Sequence, residues 1–251
     1  MSPILDIPSF CETFLESGVD INQGDKFNLT ALHFAVINRR SNILKLLICY
    51  GADINAQDDN KESALHFAVY NNNMETVKIL VESKIDINIK NYAGMTPLIM
   101  AAKYNSIEIA KYLILQGANL SIKDIHGKSA IHYVAKLHDI SLMHILISSG
   151  ADVNDETSEK ETPLMIATRK CNESMVKNLI ARGADVNRQD QNGKTALHLS
   201  ALYDSPKIAE FLLSNGTKID TKTNDGYTAF DYAKKFNNEI MNLIQKYISQ
   251  K

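Results

Sequence analysis

The pattern of apolar and small residues in this chain repeats at a fixed interval of 33 residues, as in the segments that follow Thr30 and Ser63. In each interval a hydroxyl residue precedes a short apolar segment with helical spacing, and a longer segment of the same kind follows. A glycine closes the longer segment in most copies, which is a common way to end a helix. The pattern therefore predicts a unit of turn, short helix, turn, longer helix and extended loop.

Seven copies of this pattern keep the same spacing between their opening residues. Those opening residues are Thr30, Ser63, Thr96, Ser129, Thr162, Thr195 and Thr228. A unit of this size cannot bury its own apolar face, so neighbouring units must stack to share one continuous core. The period thus predicts an elongated all-α repeat protein, and proteins of this kind generally present a long surface to a partner.

The copy that begins at Asp190 shows the local signals most clearly. Its first four residues, Asp190-Gln191-Asn192-Gly193, are typical of a turn, and Thr195 can cap the helix that follows. Pro206 stands where the first turn of the second helix tolerates a missing N–H group. Gly216 occupies the position after the second helix where a left-handed residue is favoured.

These residues resemble the ankyrin repeat, whose pattern is Asp-x-x-Gly-x-Thr-Pro-Leu-His-x-Ala followed by a long helix and Gly-Ala-Asp-Val-Asn. The matching segments here include DQNGKTALHLSA from Asp190 and GADVN from Gly150 and Gly183. The resemblance covers about Asp6 to the C-terminus. It implies an all-α repeat solenoid of antiparallel helix pairs with β-hairpin-like fingers. It also implies a concave surface formed by the fingers and the first helices.

We expect one ankyrin repeat domain over residues 1–251. Within it, residues 1–22 would form a partial N-terminal repeat, 23–227 the internal repeats and 228–251 a C-terminal capping repeat. The partial repeat is predicted because Phe10, Phe14 and Leu15 have the spacing of a second helix without a full first helix before them. In the last copy the turn between the helices is one residue shorter, which places Ile240 and Ile244 one position early.

Several residues depart from the repeat pattern. Asn28, Lys61 and Lys160 replace the finger glycine, and Lys84 replaces the glycine after a second helix. A left-handed lysine costs about 1 kcal/mol relative to glycine if the backbone conformation is kept. The finger at residues 155–161 matches the pattern least, so we expect it to be the least regular and the most mobile finger.

The overall composition argues against several classes of function. The chain has 27 basic and 29 acidic residues and a formal charge of -2, which argues against a dedicated nucleic-acid binder. It has no apolar run long enough to span a bilayer and no secretory pattern at its start. Its three cysteines lack metal-ligand spacing, so we expect free thiols in a reducing cytoplasm or nucleus.

Histidines recur at one position of the repeat, at His33, His66, His132 and His198. Neighbouring repeats would hold them on the order of 10 Å apart, too far for imidazoles to share one metal ion. The ankyrin resemblance implies instead that they hydrogen-bond the backbone between fingers. The loop asparagines are expected to satisfy loop backbone, because a calcium loop would need a closing glutamate. We therefore expect no metal, no cofactor and no catalysis.

Partner recognition should use positions that vary from copy to copy, at the finger tips and the ends of the first helices. Tyrosines and lysines prevail there in the middle of the chain, and we predict a site for an acidic, partly apolar peptide or protein face. The candidate residues are Tyr70, Tyr92, Met95, Lys103, Tyr104, Lys123, Ile125, Lys128, Lys136, Leu137 and Tyr203. The alternative is that these side chains only solubilise the wall of the groove.

The leading function is a monomeric protein-interaction module that acts as an adaptor, scaffold or inhibitor. An alternative is a targeting or regulatory segment of a larger enzyme, which the start of the chain within a repeat favours. A third and weaker possibility is nucleic-acid binding through the lysines and tyrosines between Lys90 and Lys136.

Overall fold

A computed structural model describes residues 18–249, and these residues form fourteen α-helices. The chain divides into two compact units, of which the N-terminal unit ends at Asn119 and the C-terminal unit begins at Leu120. Phe10, Phe14 and Leu15, predicted to belong to a partial repeat, lie outside the described residues. The single domain over residues 1–251 and its internal boundaries stay a prediction.

The helices alternate between a short and a longer one, as the hydrophobic pattern predicts. In the N-terminal unit they are α1 Ala31–Ile37, α2 Ser41–Cys49, α3 Ala64–Tyr70, α4 Met74–Glu82, α5 Pro97–Lys103 and α6 Ile107–Leu115. In the C-terminal unit they are α7 Ala130–Val134, α8 Ser141–Ser148, α9 Pro163–Arg169, α10 Glu173–Ala181, α11 Ala196–Leu202, α12 Pro206–Ser214, α13 Ala229–Phe236 and α14 Asn238–Ser249. The β structure of residues 18–249 consists of two isolated bridges, Gln57 with Ser63 and Lys222 with Thr228.

Each short helix begins directly after one of the seven predicted hydroxyl residues, in a backbone conformation that allows capping. Thr96 has an extended backbone, and its side chain accepts a hydrogen bond from the N–H group of Ile99 at 3.3 Å. Pro97 follows as the first helical residue, where no N–H group is needed. The capping positions read from the sequence are therefore confirmed.

Apolar contacts between successive helix pairs form the core of the N-terminal unit. The short helices α1, α3 and α5 contact one another in chain order, and the longer helices α2, α4 and α6 do the same. Leu44, Leu65, Leu80 and Leu113 are completely buried between them. Complete burial of a leucine contributes about 2 kcal/mol, so these side chains are a large part of what stabilises this unit.

The C-terminal unit repeats this packing and ends in a helix with one polar face. The short helices α7, α9, α11 and α13 contact in chain order, and α14 packs against both α12 and α13. The last helix starts at Asn238, one position earlier than the spacing of Pro206 would give, and buries Ile240 and Ile244. Its exposed residues include Asn238, Glu239, Asn242, Gln245 and Lys246. The polar outer face is what a C-terminal capping helix requires, and the capping role stays a prediction.

Non-glycine residues adopt the left-handed backbone wherever the repeat requires it. Asn28, Lys61 and Lys160 have φ values of 60°, 56° and 57°, and Lys84 has 70°. Lys84 also keeps the hydrogen bond that closes the helix, from its N–H group to Val81 at 3.0 Å. The fold therefore imposes this conformation on lysine and asparagine at the positions that glycine usually occupies.

The finger at residues 155–161 is as regular as the others, so the prediction of an irregular finger was wrong. The N–H group of Thr157 donates to Glu161 at 3.0 Å, as Asp58 does to Glu62 at 3.0 Å in another finger. The Thr157 hydroxyl takes the role of the aspartate carboxylate, since it accepts the N–H group of Glu161 at 3.1 Å. Among the short helices, α7 differs most in length from the others, with 5 residues.

Replacing Lys84 by glycine should stabilise the protein by about 1 kcal/mol, because the residue is exposed and held at positive φ. The matched variant Gly117→Ala should destabilise by a similar amount. An added Cβ at Gly117 would meet nothing within 4 Å, so its cost comes from the backbone alone. Urea unfolding measures both changes. Destabilisation by Lys84→Gly would contradict the account of strain at this residue.

Candidate partner-binding surface

One side chain at the base of each finger fixes the shape of the tip. The Oδ1 atom of Asp58 accepts the N–H groups of Asn60 at 2.9 Å and of Glu62 at 2.7 Å. The same position holds a carboxylate, amide or hydroxyl that bonds its own finger in the other copies, at Asp25, Asn91, Asp124, Thr157, Asp190 and Thr223. The finger tips are thereby held in a defined conformation with their central residues facing outward.

Backbone hydrogen bonds join neighbouring fingers within each unit. In the N-terminal unit, Asp59 donates to the carbonyl of Phe27 at 3.0 Å, and Tyr92 donates to that of Asn60 at 2.9 Å. In the C-terminal unit, the donors to the previous finger are Ser158, Gln191 and Asn224. Side chains on adjacent tips therefore keep a fixed spacing, which a binding surface requires.

The repeated histidines link each finger to a helix start, and His66 shows the arrangement. Its Nδ1 atom lies 3.1 Å from the N–H group of Ser63 and 2.9 Å from the Ser63 hydroxyl. Its Nε2 atom lies 3.0 Å from the carbonyl oxygen of Met95 in the next finger. A carbonyl can only accept, so Nε2 carries the proton and Nδ1 accepts the N–H group of Ser63.

The other three histidines make the same kind of bond to backbone. His33 bonds the carbonyl of Glu62 at 3.2 Å, and His198 bonds that of Tyr227 at 3.2 Å. His132 bonds the carbonyl of Asp155 at 3.0 Å. The predicted structural role of the four histidines is therefore confirmed. Burial lowers the pKa of all four imidazoles, and the hydrogen bonds to backbone carbonyls oppose that shift.

The loop asparagines bond backbone in the following repeat, as expected. The Oδ1 atom of Asn55 accepts the N–H group of Asp86 at 2.8 Å, and that of Asn88 accepts from Asn119 at 2.9 Å. In the C-terminal unit Asn154 and Asn187 do the same. Within residues 18–249, no three His, Cys, Asp or Glu side chains are grouped so that they could hold a metal ion.

A family model described as ankyrin repeats, in three copies, matches the chain at residues 6–91, 41–124, 98–190, 131–223 and 164–251. The chain belongs to the ankyrin repeat family. Ankyrin repeats are a non-catalytic fold and generally serve as protein–protein interaction modules. A search of curated proteins gave no significant match. Among the described residues, no helix has both the length and the apolar character needed to cross a membrane.

Five of the predicted partner-binding residues lie in the N-terminal unit, and we call them the tyrosine surface: Tyr70, Tyr92, Met95, Lys103 and Tyr104. Tyr92 on a finger, Tyr70 at the end of α3 and Tyr104 after α5 are exposed by 64%, 63% and 45%. The rings of Tyr70 and Tyr104 meet edge to face with centroids 5.5 Å apart. This ankyrin surface therefore presents large aromatic rings that are already oriented by one another.

Lysine side chains lie against two of these rings. The Nζ atom of Lys103 is 5.5 Å from the ring centroid of Tyr104, and that of Lys61 is 5.0 Å from the centroid of Tyr92. Lys61 was not predicted as a site residue, because it was considered only as a replacement for the finger glycine. The sequence does hold a signal for this contact. Lys61 and Tyr92 are 31 residues apart, and Asn28 bonds Asp59 across the same separation.

The six predicted residues of the C-terminal unit do not form one set. Ile125 and Tyr203 are exposed, but Tyr203 lies two repeats further along the chain than Leu137. Lys123 is already bound within the unit, since its Nζ atom lies 2.6 Å from the carboxylate of Asp155. Lys128, Lys136 and Leu137 are half-buried. The charge of Lys123 is therefore largely neutralised before any partner arrives.

Acid should destabilise the protein through the buried histidines. Their folded pKa values are lowered, so the unfolded chain takes up protons first as the pH falls below about 6.5. Stability is full above that pH and decreases below it, by at most about 1.4 kcal/mol per pH unit for each histidine. Urea unfolding of the wild type and His66→Gln between about pH 7 and pH 5 measures this effect. Equal slopes for the two proteins would contradict it.

Proposed function

We propose that this ankyrin repeat protein binds an acidic, partly apolar peptide or protein face on its fingers and first helices. The observation that carries the proposal is the tyrosine surface, where Tyr70 and Tyr104 contact each other and remain exposed. Exposed aromatic rings in fixed positions are the side chains that most often dominate binding energy. Because neighbouring rings already restrict their rotamers, less conformational entropy is lost when a partner covers them.

The charge around these rings favours an acidic partner. Among the described residues, no carboxylate lies within 4.0 Å of the ammonium groups of Lys61 or Lys103. The nearby Glu62 is half-buried and accepts a hydrogen bond from Asn91 at 3.4 Å. Burial raises the pKa of Glu62, and the charge of Lys103 acts against that rise. The ammonium groups of Lys61 and Lys103 thus remain available for a partner's carboxylates.

The double variant Tyr92→Ala/Tyr104→Ala should weaken partner binding by at least about 2 kcal/mol, which is roughly thirtyfold in Kd. Affinity capture from native lysate with wild type and variant would identify proteins that depend on the two rings. Titration of the captured protein against both forms would then give the change in Kd.

Leu115→Ala is the matched control, because Leu115 is 72% exposed but belongs to a longer helix and to neither a finger nor a first helix. The control should bind as the wild type does. Unchanged binding by the double variant, with an intact circular dichroism spectrum, would contradict the proposal. Filter binding of nucleic acid at low and moderate salt tests the weaker alternative.

A further inference from the structure

Three aromatic rings of the C-terminal unit are in contact on the last finger and the last short helix. The ring of Tyr232 on α13 meets that of Tyr227 on the finger edge to face, with centroids 6.3 Å apart. It also lies beside the ring of Phe236, one helical turn further along α13, with centroids 6.4 Å apart. Tyr227 and Phe236 are exposed by 55% and 52%. The unit therefore presents a connected apolar surface to solvent, and we call these three residues the ring cluster.

Contacts within the finger and with the preceding repeat hold the ring cluster in place. The carbonyl oxygen of Tyr227 accepts the N–H group of Thr223 at 2.9 Å and lies 3.2 Å from the Nε2 atom of His198. The Tyr232 ring packs edge to face on the buried His198 ring, with centroids 5.7 Å apart. The Nδ1 atom of His198 is fixed in turn by the N–H group of Thr195 at 3.1 Å. The ring cluster is thus oriented before a partner binds.

Two lysines lie against these rings. The Nζ atom of Lys194 is 5.9 Å from the ring centroid of Tyr232, and that of Lys235 is 5.2 Å from the centroid of Phe236. In the part of the chain that the structure describes, no carboxylate lies within 4.0 Å of either ammonium group. The ring cluster is therefore bordered by two positively charged hydrogen-bond donors that have no acidic partner of their own.

Two of the aspartates on the last two fingers and on α13 are engaged by the protein itself. The Oδ2 atom of Asp231 accepts both the N–H group and the hydroxyl of Thr228, at 2.8 Å and 2.7 Å. Asp190 is buried and accepts the backbone N–H group of Lys194 at 2.8 Å. Asp225 is exposed at the tip of the last finger. The polar groups in contact with the rings are thus donors, which favours a partner that supplies negatively charged acceptors.

We propose that the ring cluster, together with Lys194 and Lys235, binds a segment of a protein partner in which a large apolar side chain lies beside an aspartate or glutamate. The apolar side chain covers the exposed rings of Tyr227 and Phe236 and removes them from water. The carboxylate accepts a hydrogen bond from a lysine that lies against the same rings, so adjacent residues of the partner reach both groups. This inference goes beyond the proposed function, because it assigns a second binding surface in the other unit.

A library of random peptides displayed on phage and selected against the full chain tests the chemistry of the partner. We expect an Asp or Glu beside a large apolar residue in the peptides that bind the wild type but not the variant Tyr227→Ala/Phe236→Ala. This pair should occur at least about twofold more often than in the starting library. Tyr232 is kept in the variant because its ring packs on His198. Enrichment of Lys or Arg instead, or no peptide that depends on the two rings, would overturn the inference.

One selected peptide is then titrated into the full chain and followed by NMR of backbone amides. The largest shifts should occur at Lys194 and at residues 223–236. The variants Tyr227→Ala/Phe236→Ala and Lys194→Gln/Lys235→Gln should each lose at least about tenfold in affinity for this peptide. Unchanged affinity of the lysine variant would overturn the role of the carboxylate.

Matched controls remove similar groups from the longer helices of the same unit. Ile248→Ala removes an apolar side chain that is 51% exposed on α14. Lys177→Gln/Lys246→Gln removes the same charge from exposed positions, and Lys177 also lies against a ring, 5.9 Å from the centroid of Phe211. Both controls should bind the peptide as the wild type does. Losses equal to those of the ring and lysine variants would show a general effect and overturn the site.

A further arm tests the class of ligand, because single-stranded nucleic acid also binds exposed rings and lysines. The formal charge of -2 argues against such a ligand. A single-stranded oligothymidine is titrated against the wild type and the ring variant at low and moderate salt. Tighter binding of the oligonucleotide than of the selected peptide, lost in the ring variant, would overturn a protein segment as the ligand.

Failure of this inference can be told from failure of the proposed function. The peptides that depend on Tyr227 and Phe236 should bind the variant Tyr92→Ala/Tyr104→Ala as they bind the wild type. Loss of the captured partner in that tyrosine variant, with no peptide that depends on the ring cluster, would overturn only the second surface. Unchanged partner binding in the tyrosine variant would overturn the proposed function, whatever the selected peptides do.

Discussion

The helices of this protein are too short to be stable alone, and every other feature follows from that constraint. Most of them have 7 or 9 residues, whereas isolated helices below about 12–15 residues are marginal in water. Each helix must therefore bury its apolar face against the next repeat, as Leu65 and Leu80 do in the N-terminal unit. The 33-residue spacing keeps those faces in register, so the sequence period is a packing requirement.

Stacking brings polar backbone groups together as well as apolar side chains, and these groups need partners. The buried histidines and the loop asparagines satisfy them with bonds that reach the neighbouring repeat, such as His66 to Met95 and Asn55 to Asp86. A buried unpaired backbone group would cost about 1–3 kcal/mol. The repeated polar residues are thus as much a part of the stack as the leucines.

The sequence predicted the helices, their caps and the roles of repeated residues because each of these recurs under the same local rules. Predictions about single residues that depart from the repeat pattern were less successful. The finger at residues 155–161 was expected to be irregular, yet the Thr157 hydroxyl replaces a carboxylate there. Lys123 and Lys103 could not be told apart by residue type. They differ because Asp155 reaches Lys123, and that contact depends on side-chain conformation in the adjacent finger.

Side chains without a structural task within the stack are the ones that can recognise a partner. Lys123 does not meet this condition because Asp155 neutralises its charge. Arg169 does not meet it either, because it forms an ion pair with Glu161. Lys61 and Lys103 meet it, since no carboxylate among the described residues lies within 4.0 Å of either ammonium group. By the same reasoning, the exposed rings of Tyr70 and Tyr104 can bind a partner, whereas rings that are buried in the core cannot.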